Sequence, residues 1–188
     1  MKKADSNSTL AFALLGLIGQ EPRSGYALRR FFSSTPMRSF SDSPGAIYPA
    51  LRRLERRGHV RGRLEEGPGL RRRKIFEITA KGRSELKRWL APHITRDDVV
   101  RNMDVLLLRL AFMDQFAEKG AAERFLTALH KELTAYLPSL RKYLKLTREH
   151  MSVSGRLALE SGIQAYETHL RWTKTAMATY TNAEGENQ

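Results

Sequence analysis

Cysteine is absent from the 188 residues. That excludes disulfide staples, a thiolate nucleophile and any Cys-based zinc or iron–sulfur site. Long apolar runs are missing too. The longest, Leu10 to Ile18, is too short to cross a bilayer, and no small-residue cleavage site follows it. Catalytic signatures are equally scarce. The five histidines (His59, His93, His130, His150 and His169) are scattered with no His-Glu-x-x-His, and there is neither a glycine-rich phosphate loop nor a Gly-x-Ser-x-Gly turn. His130 and His150 read as surface residues of helices, and Asp97-Asp98 as charges suited to a helix's first turn. The expectation is a soluble cytoplasmic protein that is not an enzyme, needs no cofactor or metal, and has no business with a membrane.

What the chain has in excess is positive charge, and it is one-sided. Lys and Arg total 33 against 20 Asp and Glu, for a formal net charge of +13. Residues 1–90 carry 20 of the cations and 8 of the anions, while residues 91–188 are nearly balanced at 13 and 12. A basic half joined to a neutral half points to a nucleic-acid-binding module coupled to a module with another task.

The pattern of residues predicts a fold that is mainly α with a small β-hairpin. Ser8 and Thr9 can cap a helix from Leu10 to Gly19 that is apolar nearly all round and must be covered on several sides. Ser24 caps a second helix, Gly25 to Ser33, and Ser33 to Asp42 reads as a loop. Ser43, Pro44 and Gly58 bracket a third helix. Pro49 falls inside it, so either its first turn is irregular or the regular helix begins near Ile47. Ile47, Ala50, Leu51 and Leu54 share one face of that helix. Gly45, Pro49, Arg52 and Arg56 share the opposite face, flanked by Tyr48 and Arg53. The runs His59 to Glu65 and Leu70 to Ile78, joined through Gly67-Pro68-Gly69, read as a hairpin with a basic second strand. Thr79 caps a fourth helix to about Leu90.

This order of elements is that of a winged helix-turn-helix. The third helix buries one face and offers the other to a DNA major groove. Gly45 and the N-terminus of the third helix permit close approach of backbone amides to phosphate, and Ser24, Tyr26 and Ser43 are further candidate DNA contacts. Tyr48, Pro49, Arg52, Arg53 and Arg56 face the groove, and Arg71, Arg72, Arg73 and Lys74 form the basic edge of the wing.

At these residues the sequence resembles the PadR family of bacterial transcriptional regulators. The motifs are Leu14-Leu15-Gly16-Leu17-Ile18, Ser24-Gly25-Tyr26-Ala27-Leu28, the run Ser43 to Glu55, and the run Arg72 to Gly82. They cover roughly residues 10–90. Where family members often carry tyrosine, Ile75 stands, which removes one hydroxyl contact. The C-terminal half resembles the long helical domain of the larger PadR subgroup. The resemblance implies a homodimeric repressor on double-stranded DNA with a pseudo-palindromic operator. It also implies affinity tuned by a small molecule or other signal; Trp89 and Trp172 are either contacts of such an effector or ordinary packing residues of the dimer core.

The second half reads as all-helical. One helix spans about Asp97 to Met113 and another about Ala121 to His150. The latter carries a heptad-like seam of Leu126, Leu129, Leu133, Tyr136, Leu140 and Tyr143, with Pro138 expected to kink it. A last helix starts near Gly155 and carries Leu159, Ile163, Tyr166, Leu170, Met177 and Tyr180. The domains expected are 8–92 for DNA binding and 93–181 for dimerisation, with polar tails at 1–7 and 182–188. The alternative reading is a winged-helix adaptor that binds an acidic protein partner. An RNA-processing enzyme lacks a catalytic constellation.

Overall fold

The computed structural model describes residues 6–40, 44–66 and 72–185. Its elements, in chain order, are α1 (Ser6–Gln20), β1 (Arg23–Ser24), α2 (Gly25–Ser34), α3 (Pro44–Arg56), β2 (Val60–Glu66), β3 (Arg72–Ile78), α4 (Ala80–Leu90), α5 (Arg96–Arg101), α6 (Met103–Phe116), α7 (Ala121–Thr147) and α8 (Val153–Gly185). The chain divides into two compact units. One ends at Pro92 and also takes residues 111–117; the other takes residues 93–110 and those from Glu118 onward.

In the first unit α1 is the centre. Leu10, Ala13, Leu14, Leu15, Leu17 and Ile18 are all buried, and the helix touches α3, α4 and β3. It begins at Ser6 rather than at Leu10, so Ser8 and Thr9 lie inside the helix and do not cap it. The end of α6 completes the cover. A Cβ on Gly16 would run into the Phe112 ring, and one on Gly19 would come within 2.7 Å of Phe116. Both phenylalanines are buried and meet edge to face at 6.4 Å.

Local capping follows the sequence closely. Ser24 Oγ accepts from the Ala27 amide at 3.1 Å, and Thr79 Oγ1 from the Gly82 amide at 3.0 Å. At the end of α3, Gly58 takes φ +72°, its amide donates to Glu55 O, and the His59 amide donates to Leu54 O. This paired closure is the one a left-handed glycine makes possible. Pro49 lies within α3, whose helical turns begin at Pro44 itself. The Ser43 cap and the Gly67-Pro68-Gly69 turn fall outside the described residues.

Other expectations are corrected. The stretch after α2 is not all loop, because Pro36–Phe40 forms a 3-10 turn. The hairpin gains a third strand: β1 pairs with β3, Arg23 opposite Phe76 and Ser24 opposite Ile75, giving the antiparallel order β1-β3-β2. The helix expected over 97–113 is two. Thr95 and Asp98 form a reciprocal capping box at the start of α5, and Asn102, at φ −133° and ψ 30°, ends it before α6 begins.

In the second unit α7 and α8 run antiparallel. Thr127 meets Met177, His130 meets Thr173, Tyr136 meets Tyr166 and Arg141 meets Glu167. Leu126, Leu129, Leu133 and Leu137 are buried, whereas Tyr143 is 55% exposed. The heptad seam therefore drifts, as a helix of about 3.6 residues per turn must drift from a repeat of 3.5. After Thr147 the chain tightens into a 3-10 turn, Arg148–His150. α8 starts at Val153 and continues to Gly185, so residues 182–185 are helix rather than tail. His130 is half-buried at the surface of α7. Its Nδ1 lies 2.8 Å from Thr173 Oγ1, which itself donates to Leu170 O. Arg109 is buried over the Phe125 ring. Burial lowers its pKa, and the nearby Asp98 raises it.

Two glycines should respond oppositely to alanine. Gly16→Ala overpacks the Phe112 contact and should cost about 1–3 kcal/mol. Gly162, within α8, has open space where its Cβ would be, so Gly162→Ala should gain about 0.5–1 kcal/mol from helix propensity. Urea unfolding of both variants checks the contrast, and equal effects would refute the packing argument.

Candidate nucleic-acid interface

α3 presents its two faces as the sequence spacing requires. Ile47, Ala50, Leu51 and Leu54 are each no more than 3% exposed. On the other side Gly45, Arg52 and Arg56 are exposed, Tyr48 is 42% exposed, and Pro49 and Arg53 are half-buried. The Tyr48 ring lies over the start of α2, so close that a Cβ on the buried Gly25 would be 2.6 Å from Tyr48 Cε1. Tyr26, next in the chain, is 65% exposed.

These residues edge a groove of about 570 Å³. Ser24, Tyr26, Tyr48, Arg52, Arg73 and Lys74 line it, together with Gly25, Leu51, Glu55 and Phe76. Cations, hydroxyls and three aromatic side chains thus come from β1, α2, α3 and β3 to one place. Gly45, Pro49, Arg53 and Arg56 stand on α3 but are not among the lining residues. Arg72 is exposed at the start of β3. Ser43 and Arg71 lie outside the described residues.

Residues 14–88 match the transcriptional regulator PadR-like family. The match makes that segment PadR-like and spans less than half of the chain. A curated relative, the negative transcriptional regulator PadR of Bacillus subtilis (strain 168), is 27% identical over 122 residues. That alignment covers 65% of this chain and 66% of the relative, just under two thirds of the relative's length. Among solved structures, Bacillus subtilis PadR in complex with operator DNA is 24% identical, with 90% of this chain and 98% of that one covered and a TM-score of 0.45. The PadR-like regulator BC1756 from Bacillus cereus is 24% identical, with coverage of 93% and 99% and a TM-score of 0.40. Bacillus subtilis PadR in complex with p-coumaric acid is 20% identical, with coverage of 95% and 98% and a TM-score of 0.43.

The wing of this PadR-like domain carries carboxylates as well as cations. Glu77 accepts from Arg61 at 3.0 Å and from Arg63 at 2.8 Å. Those hydrogen bonds, Arg61's first, hold its carboxyl below the ordinary value. Arg63 also reaches Glu65 at 2.7 Å, and Glu65 meets Arg73 at 3.4 Å. Lys74 meets Glu55 of α3 at 2.8 Å. Exposed pairs of this kind add little to stability, so their consequence is position. A signal was available in the sequence: Arg61, Arg63 and Glu65 alternate along β2, and the register sets Arg61 opposite Glu77 and Glu65 opposite Arg73.

The two tryptophans have separate settings. Trp89 is half-buried in the first unit and stacks on Phe12, with centroids 4.7 Å apart and planes within 7°. Trp172 is 36% exposed on α8 in the second unit.

His59 opens the wing. Its carbonyl accepts from the Thr79 amide and hydroxyl, and its neighbours include Lys81, Arg57 and Arg88. Burial, then those three cations, lower its pKa below 6.5. The fold therefore favours the neutral ring, and the unfolded chain binds the extra proton first. Stability should fall as pH drops below about 6.5 and level off below the folded-state value. Thermal melting from pH 7.5 to 5 should show less loss for His59→Gln than for the unsubstituted protein. Identical profiles would remove His59 from the account.

Proposed function

We propose that this PadR-family regulator is a sequence-specific repressor that binds a pseudo-palindromic operator in double-stranded DNA as a homodimer. The observation that carries the reading is the groove between α2, α3 and β3, where Tyr26, Tyr48, Arg52 and Arg73 meet. In this reading α3 enters the major groove. Arg52 reads a base edge, Tyr48 packs against the backbone or a thymine methyl, and Ser24 with the start of α2 holds phosphate. Arg72 and Arg73 neutralise phosphate from the wing, and Ser43, Gly45, Pro49, Arg53, Arg56 and Arg71 complete the contact set.

The dimer reading has its own support. Among the described residues of α8, which is 33 residues long, only Ile163 and Thr173 are buried. Leu157 and Trp172 are exposed, and Leu159, Leu170 and Tyr180 are half-buried. A long helix draws most of its stability from a packed face, and this one has apolar surface left for a second copy. An effector of aromatic character would meet Trp89 or Trp172. The protein would act in the cytoplasm without catalysis; among the described residues no helix is long and apolar enough to cross a membrane.

Quantitative mobility shifts on genomic duplexes test the reading. Two heads each neutralising several phosphates should give a slope of log affinity against log salt of roughly −5 to −10. Arg52→Ala should cost about 1–3 kcal/mol at the operator and relax discrimination at one or two base pairs per half-site. A flat salt response, or an Arg52→Ala dimer that binds unchanged, would refute it. Absence of duplex binding together with capture of an acidic protein would favour the adaptor.

A further inference from the structure

Lys74 follows the arginines of the basic wing run, yet its ammonium is engaged within the domain. Its Nζ lies 2.8 Å from Glu55 Oε2 and 5.5 Å from the centroid of the Phe76 ring. To get there the side chain crosses β2 at Gly62. A Cβ on Gly62 would collide with Lys74 Cε and stand 2.7 Å from Glu55 Oε1. Gly62 is thus the slot through which the wing reaches the helix that faces DNA. Glu55 lines the same groove as Tyr48 and Arg52.

Charge decides what each partner would do alone. A bare carboxylate in that groove repels every phosphate, whatever the sequence. A loose lysine there attracts every phosphate equally, which raises affinity without discrimination. Paired across Gly62, the two cancel, and the wing is tied to α3 at a fixed distance.

We propose that Glu55 is a specificity-determining residue that holds Lys74 across Gly62, so that Lys74 positions the wing against α3 instead of adding sequence-independent affinity. The proposal rests on the DNA-binding reading above and adds to it which wing cation is withheld from phosphate.

The test uses the full chain, an operator duplex selected by the unsubstituted protein and a random-sequence duplex, titrated from 50 to 200 mM salt. Glu55→Gln should bind the random duplex about three- to ten-fold tighter and steepen the salt slope by about 1.8, one further phosphate contact in each of the two heads. The operator-to-random ratio should fall. Adding Lys74→Gln should return the slope to its starting value. Gly62→Ala, which displaces Lys74 without changing charge, should shift the ratio in the same direction as Glu55→Gln and keeps the test open if that variant melts low. A Glu55→Gln protein that weakens on both duplexes, or keeps its slope, overturns the proposal, because a merely structural pair would do that. Should the unsubstituted protein bind no duplex at all, the DNA reading falls and this inference with it. Steep salt dependence in the unsubstituted protein with an unmoved variant sinks this inference alone.

Discussion

α1 is apolar on almost every side, and the rest of the first unit is arranged to cover it. Leu14, Leu15, Leu17 and Ile18 point in different directions around a helix, so no single neighbour can bury them all. α3 takes one side, α4 another, β3 a third, and Phe112 and Phe116 close over Gly16 and Gly19. Because α3 buries Ile47, Ala50, Leu51 and Leu54 against α1, α2 and β2, its remaining face is left for Arg52, Tyr48 and Gly45. The direction of the groove-facing residues is thus a by-product of burying α1.

The parts legible in the sequence are those set by rules a few residues long. Ser24 and Thr79 cap the helices they precede, Gly58 closes α3, and the spacing of Ile47, Ala50, Leu51 and Leu54 names the buried face. The misses are nearly all contacts between distant residues. Nothing near Arg23-Ser24 announces a partner at Phe76-Ile75, and nothing near Phe112 announces Gly16. The break at Asn102 has no proline or glycine to mark it, though Thr95-x-x-Asp98 was a legible start signal for the short helix before it. The candidate site divides in the same way. Which residues of α3 face outward follows from helical period; which of them share a groove with Tyr26 and Lys74 needs the fold.

A count of cations overstates what the basic half offers a polyanion. Residues 1–90 have a surplus of positive charge, but Glu77, Glu65 and Glu55 are spent on the hairpin and its junction with α3. Arg61 and Arg63 converge on Glu77, Arg73 leans on Glu65, and Lys74 crosses to Glu55. Each pairing costs some sequence-independent attraction and fixes a long side chain that would otherwise sample many rotamers. If the proposed function holds, a wing built this way gives up affinity for any duplex to keep its cations in register with α3. Discrimination between sequences is a difference of affinities, and it grows when the affinity for every wrong sequence is held down. In the proposed DNA-binding reading, the acidic residues interleaved with the arginines of β2 and β3 are therefore as much a part of the working surface as the arginines themselves.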